Sequence, residues 1–123
     1  MTAGSVERAM TIAELAAHLH ARGGAAEIWL VYLADPFEEV QGGRIVLLLQ
    51  RAFWTRGEAY SFAEGSRREK RWQQLYVFRV AVTSAWAEGT TPCGATFETE
   101  FGRSRPLPTV RVRPTELAAA FES

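Results

Sequence analysis

The segment Arg44–Trp54 begins with a run, Ile45–Leu49, in which every residue is apolar. Successive side chains of a strand point to opposite faces, so such a run predicts a strand that is covered on both sides. Glycines on either side of the segment favour a strand over a piece of helix. The pattern therefore predicts that Arg44–Trp54 is the central strand, with Ile45–Leu49 in the core and Arg51 and Trp54 at a functional rim.

Two further segments have the pattern of interior strands. Glu27–Leu33 is rich in β-branched and aromatic residues and is apolar on both faces. Residues 34–43, which connect it to the first segment, are too few for a parallel crossover and predict an antiparallel hairpin. Gln74–Trp86 predicts a third strand. Arg79 interrupts one of its apolar faces, so we expect that part of the face to meet solvent or an acidic residue.

The last strands are predicted by strict alternation of apolar and polar residues. Thr96–Phe101 alternates in this way, which predicts a half-exposed strand with Phe97, Thr99 and Phe101 facing inward. Thr109–Arg113 shows the same alternation. If the two strands pair, the arginines of the second lie opposite the glutamates of the first.

Helices are predicted at both ends of the chain. Thr11 and Glu14 have the spacing of a capping box and precede apolar residues at helical spacing, which predicts an amphipathic helix over Ile12–Arg22. Residues 1–10 are expected to form a flexible arm. Pro114 has the position of a first helical residue and predicts a short C-terminal helix.

The region before the third strand is less regular. Tyr60 and Phe62 are two residues apart, which predicts a short edge strand. Ser66 and Glu69 repeat the capping-box spacing, which predicts one or two helical turns over residues 67–74.

Consecutive strands without regular helical crossovers predict an α+β fold. We expect residues 11–123 to form a single domain. Its predicted architecture is a curved antiparallel sheet of about five strands, or a half-barrel, with an N-terminal amphipathic helix and a short C-terminal helix.

Composition narrows the class of protein. The chain has 123 residues, fourteen basic and fourteen acidic, and 47% of its residues are hydrophobic, all of which is typical of one globular domain. No apolar run approaches the roughly 20 residues of a membrane span, so no membrane partner is expected. The first residues lack the pattern of a leader peptide, and the single cysteine points to no disulfide, so the cytoplasm is the expected location.

Few residues indicate chemistry. His18 and His20 are about 200° apart on a helix, so they do not readily share a metal ion. Cys93 lies beside a glycine, as a reactive thiol can, but no neighbouring residue predicts a thiolate. Glu98 and Glu100 share one strand face, where acid–base chemistry or a cation site competes with a solvated face. The sequence predicts no catalytic residue, no metal site and no cofactor.

Basic and aromatic residues are interleaved around residues 54–72. This mixture suits a protein-binding patch, in which Arg, Trp and Tyr are enriched. It also suits single-stranded nucleic acid or RNA, whose bases stack on aromatic rings. A solvated charged turn is the plain alternative. The candidate binding residues are Arg51, Trp54, Arg56, Tyr60, Arg67, Arg68, Lys70, Arg71 and Trp72.

The leading hypothesis is a small non-enzymatic domain that acts as a protein-binding, accessory or adaptor module through this surface. Its partner is another protein or a second copy of the chain. Nucleic-acid binding through the same surface is the first alternative, and zero net charge weighs against it. The second alternative is a half-barrel pocket for a small apolar ligand or a substrate. Its predicted lining is Phe53, Tyr76, Phe78 and Phe97.

Overall fold

The computed structural model describes residues 10–34, 46–101 and 110–121. These residues form four helices and five strands. In chain order they are α1 (Ile12–Ala21), β1 (Ala25–Ala34), β2 (Leu47–Phe53), α2 (Arg56–Glu69), β3 (Leu75–Thr83), α3 (Ser84–Ala87), β4 (Cys93–Phe101), β5 (Val110–Val112) and α4 (Pro114–Ala120).

The five strands form one antiparallel sheet in the order β2-β1-β3-β4-β5, which curls into a half-barrel. The N-terminal helix α1 begins with the predicted capping box, in which Thr11 and Glu14 exchange two hydrogen bonds of 3.1 Å. The short C-terminal helix α4 begins at Pro114, as predicted. The predicted fold class, a single α+β domain with a curved antiparallel sheet and two terminal helices, is confirmed.

The centre of the sheet is the pair β1 and β3, which run side by side from Ala25 opposite Thr83 to Leu33 opposite Leu75. Helix α2 packs on one face of this pair, and helices α1 and α4 pack on the other. The two predicted interior strands are therefore confirmed. β3 ends three residues before the predicted boundary because the hydroxyl of Thr83 caps the short helix α3.

The strand predicted to be central lies at the edge of the sheet. Among the described residues, β2 has a neighbour on one side only. Leu47 and Leu49 are half-buried, and Leu48 is 43% exposed. A continuous apolar run indicates burial on both faces only where other elements cover both faces, and the run itself does not contain that information. The prediction of a central strand with its core at Ile45–Leu49 is therefore wrong for the described residues 46–49.

Helix α2 makes the crossover between β2 and β3. Because β1 is antiparallel to both strands, β2 and β3 are parallel to each other, and α2 passes over one face of the sheet to connect them. Ala59 and Ala63 have no exposed surface and contact the sheet in a cluster with Val31, Leu75 and Val77. Their small side chains allow the helix to lie close to the strands.

The sequence predictions for this segment are corrected by α2. The helix begins after Thr55, whose hydroxyl accepts from the N–H of Glu58 at 3.2 Å and donates to its carboxylate at 2.8 Å. Ser66, the predicted cap, lies inside the helix. The predicted edge strand and the separate helix over residues 67–74 are both wrong. The buried face of α2 consists of alanines four residues apart, which a search for large apolar residues overlooks.

β4 contains a bulge at Glu98. Two consecutive residues of β3 pair with Thr99 and Phe97, so Glu98 has no pair of its own. The extra residue places Phe97 and Phe101 on opposite faces of the sheet, and Phe97 is 44% exposed. The prediction that alternate residues of β4 face inward on one side is therefore wrong.

Arg79 of β3 meets acidic residues, which is one of the two predicted outcomes. Its Nε atom lies 3.1 Å from a carboxylate oxygen of Glu27 and 3.6 Å from one of Glu98. The bulge therefore gives Glu98 a cation on the neighbouring strand.

β5 pairs with the first residues of β4, Cys93–Ala95, and not with its glutamates. Arg111 lies opposite Gly94 and donates to the carbonyl of Pro92 at 3.3 Å. The predicted cross-strand pairs of arginine and glutamate are wrong, because β5 is short and pairs at the opposite end of β4.

Some predictions fall outside the described residues. Residues 1–9 of the predicted arm are among these, as are Arg44, Ile45 and most of the connection between β1 and β2. Met10, the last residue of the arm, donates its N–H to the carbonyl of Phe121 at 3.2 Å.

We expect Thr55→Ala to lower the free energy of unfolding by about 1 kcal/mol, because the first turn of α2 loses its side-chain cap. The measurement is urea denaturation followed by circular dichroism. Ser61→Ala, at an exposed position inside the same helix, is the control and should leave stability unchanged or slightly raised. Equal stability of the two variants would contradict Thr55 as the start of the helix.

Candidate functional site

Helix α2 divides the nine candidate residues into two groups. The helix has 14 residues, so its ends are about 21 Å apart. The residues near its start, here called the Trp54 group, are Arg51, Trp54, Arg56 and Tyr60. The residues at its end and in the following turn, the Trp72 group, are Arg67, Arg68, Lys70, Arg71 and Trp72.

Trp54 connects the sheet edge to the terminal helices. Its ring stacks on Phe121 with centroids 4.6 Å apart, and the guanidinium carbon of Arg22 lies 4.0 Å from the ring centroid. The ring of His18 lies 5.9 Å away. Trp54 therefore has a packing role between β2, α1 and the end of α4.

A cleft of about 410 Å³ opens beside Trp54 and includes Arg51, His18, Glu14 and Glu58 in its lining. Each of the two carboxylates accepts a hydrogen bond from the threonine that precedes its helix, at 3.1 and 2.8 Å. These carboxylates therefore cap the starts of α1 and α2. The cleft therefore lies where the N-terminal ends of α1 and α2 meet, and its two carboxylates have a structural role.

The two arginines of the Trp54 group lie over aromatic rings. The guanidinium carbon of Arg51 is 5.2 Å from the ring centroid of Phe53 and 5.4 Å from that of Phe62. That of Arg56 is 4.9 Å from the ring centroid of Tyr60, and Arg56 donates to the Tyr60 hydroxyl at 3.3 Å. This hydrogen bond raises the pKa of Arg56 above its ordinary value.

The turn that follows α2, residues 70–73, is held by five hydrogen bonds. Arg67 donates to the carbonyls of Arg71 and Gln73, the latter at 2.6 Å. The hydroxyl of Ser66 donates to the side-chain oxygen of Gln73 at 2.5 Å, and Gln73 is only 8% exposed. Two backbone hydrogen bonds, of 2.9 and 3.1 Å, close the turn. The turn is thereby attached to the last turn of the helix.

Trp72 lies on this turn and is 60% exposed, the highest value among the exposed large apolar residues of the described ranges. Lys70 and Arg71 are exposed beside it. An exposed indole next to cations, on a backbone that is held in place, has the chemistry of a binding hot spot.

A shallow groove of about 520 Å³ lies between the C-terminal half of α2 and the end of β4. Its lining residues are Glu64, Arg67, Arg68, Arg71, Glu100 and Phe101. Arg68 and Glu64 approach to 4.0 Å with side chains 78% and 56% exposed, so this pair contributes little to stability. The ring of Phe101 packs edge-on against Tyr60, with centroids 5.7 Å apart. Tyr60 thus contacts one of the residues that line the groove.

The structure gives Arg67 a role that the sequence prediction did not include. Arg67 is predicted as a contact residue, and here its guanidinium positions the turn that carries Trp72. Ser66 and Gln73 take part in the same arrangement. A polar pair seven residues apart is no recognised motif, so only the folded turn reveals it.

Apart from Glu100, which lines the groove, the other candidates for chemistry lie away from this surface. Cys93 is the first residue of β4 and is half-buried, and burial raises the pKa of its thiol. His18 and His20 are exposed on α1, and Glu98 pairs with Arg79. Within the ranges that the structure describes, no group of three or more His, Cys, Asp or Glu residues is arranged to hold a metal ion.

The residues predicted to line an apolar pocket do not surround a common space. Tyr76 and Phe78 are buried in the core beneath α1 and α4, and the ring of Phe97 packs edge-on against Phe78 with centroids 5.7 Å apart. Phe53 lies on the opposite face of the sheet, with its ring centroid 5.4 Å from that of Phe62.

No helix in the described part of the chain has the length and apolar character needed to cross a membrane. No protein-family model, curated protein or solved structure matches the chain. The function of this domain is therefore inferred from its own residues.

We expect Arg67→Lys to loosen the turn at 70–73, because the lysine side chain is one atom shorter and its ammonium group does not reach the position of Nη1, the single guanidinium nitrogen that donates to both carbonyls. Amide hydrogen exchange in residues 70–74 should become faster, and the free energy of unfolding should fall by about 1 kcal/mol. Arg68→Lys, at an exposed neighbouring position, is the matched control and should change neither quantity. Equal exchange rates in the two variants would show that Arg67 does not hold the turn.

Alkaline pH is expected to destabilise the fold through Tyr32. Burial, followed by the nearby Glu116 and Cys93, raises the pKa of its phenol, so the unfolded chain releases this proton at a lower pH than the folded protein. Stability is therefore retained below about pH 10, the pKa of an exposed tyrosine, and falls above it. When the pH is raised from about 8 to 10.5, the free energy of unfolding of Tyr32→Phe should fall by about 1 kcal/mol less than that of the wild type. Denaturant unfolding at the two pH values measures both changes. Equal losses would contradict this assignment.

Proposed function

We propose that this chain is a small protein-binding domain that acts through the Trp72 turn and the adjoining groove. The observation that carries the proposal is the fixed presentation of Trp72, an indole 60% exposed on a turn held by five hydrogen bonds. Covering apolar surface with a partner contributes a favourable free energy of roughly 25 cal/mol per Å² removed from water. A turn that is already ordered also lowers the conformational entropy lost on binding.

The composition of the surface supports a protein partner. Arginine and tryptophan are the residues most enriched at binding hot spots, and Arg71 and Trp72 are adjacent. The groove supplies a charged rim in Arg68 and Glu100 and an apolar contact in Phe101.

Nucleic-acid binding is the weaker candidate for the same surface. Lys70, Arg71 and Trp72 suit a single strand, because cations contact phosphates and an indole stacks on a base. Glu100 lines the adjoining groove, however, and repels a phosphate backbone, which carries a negative charge on every nucleotide. The mixture of charges is therefore better suited to a protein surface.

A cytoplasmic location belongs to the proposal, since the chain's single cysteine forms no disulfide within it. A second copy of the chain is one form that the partner can take. Light scattering of the purified protein across concentrations distinguishes a self-associating chain from one that needs another protein.

We expect a photoreactive aromatic residue at position 72, whose ring keeps much of the apolar contact of the indole, to form discrete covalent adducts with a partner in cells that express the chain. Position 48 is the matched control, because Leu48 is an exposed apolar residue on the edge strand β2. The adducts should be lost in Arg67→Ala, which releases the turn. With the purified partner, Trp72→Ala should weaken binding by about 30-fold or more, the loss that corresponds to a hot spot of 2 kcal/mol.

No discrete adduct at position 72, or the same adducts at positions 72 and 48, would contradict the proposal. Retention of full affinity in Trp72→Ala would also contradict it.

A further inference from the structure

The two cations beside Trp72 restrict what can cover it. Lys70 and Arg71 are exposed, and no ion pair in the described part of the chain includes either of them. A partner that covers the Trp72 indole also removes water from these neighbouring charges. Removing water from an unpaired charge is unfavourable, and a carboxylate placed opposite offsets that cost.

We propose that the partner segment that covers Trp72 is acidic, with carboxylates next to apolar side chains. This inference rests on the proposed function and names the chemistry of the partner. Carboxylates meet Lys70 and Arg71, and an apolar side chain of the same segment packs on the indole.

The side of the groove formed by α2 also carries cations that can bind carboxylates. Arg67 is engaged by the carbonyls of the turn. Arg68 lies at 4.0 Å from Glu64, with both side chains largely exposed, so a partner carboxylate competes with this pair at little cost. Arg68 and Arg71 therefore present guanidinium groups, which bind carboxylates through two hydrogen bonds at once.

The strand wall sets a limit on the partner's charge. Glu100 lies on this wall and repels a uniformly acidic segment, whereas Phe101 beside it accepts an apolar side chain. An extended segment directs successive side chains to opposite sides. A segment that alternates acidic and apolar residues thus directs carboxylates to α2 and apolar groups to Phe101.

The test uses the full chain and fluorescence anisotropy with short labelled peptides. The probe alternates glutamate and leucine, and the matched peptide has lysine in place of glutamate. We expect the glutamate peptide to bind about ten-fold or more tightly than the lysine peptide, with an affinity that falls between about 20 and 200 mM salt. Arg71→Gln should weaken binding about ten-fold, whereas Arg113→Gln, an equal change of charge at the start of α4, should leave it unchanged.

Equal binding of the lysine peptide, or an equal loss in Arg113→Gln, would overturn the proposal. Tighter binding of a single-stranded oligonucleotide would overturn it in favour of nucleic acid. Failure of the glutamate peptide while adducts still form at position 72 would overturn the acidic partner and leave the protein-binding proposal standing. Loss of the adducts as well would remove both.

Discussion

The pairing of β1 with β3 is the interaction on which the rest of the structure depends. The two strands pair along nine residues, and each of their faces carries one of the two helical layers. Helix α2 contacts one face through Ala59 and Ala63, and the buried side of α1 packs toward the other face through Leu15, Ala16 and Leu19. The turn that carries Trp72 leads directly into β3, so its position depends on this pairing.

Much of the fold could be predicted because its signals are local. The capping box at Thr11 and the apolar strand over Glu27–Leu33 each specify an element without reference to the rest of the chain. The position of β2 at the edge could not be predicted in this way, because burial of an apolar run depends on which elements lie above and below it. The bulge at Glu98 is likewise invisible to a period-two pattern, since one extra residue reverses the facing of all residues beyond it.

The candidate site was predictable in composition and not in geometry. Interleaved cations and aromatic residues identified Lys70, Arg71 and Trp72 as candidates, and the structure shows all three exposed on one turn. Separation of the Trp54 group from this turn follows from the length of α2, whose start was not predicted. The hydrogen bonds from Arg67 depend on the path of the turn, which no pairwise spacing in the sequence describes.

The two buried alanines of α2 couple the core to the outer surface. Ala59 and Ala63 fill the contact between helix and sheet completely, so a larger side chain at either position displaces the helix or strains it, at a cost of about 1–3 kcal/mol. Arg67 ties the turn to that same helix, and a displacement at the sheet is therefore transmitted to Trp72. The position of the Trp72 indole can thus change through substitutions that lie wholly inside the protein. Under the proposed function, natural variation at these two core positions is a route by which binding strength can be tuned without a change in any contact residue.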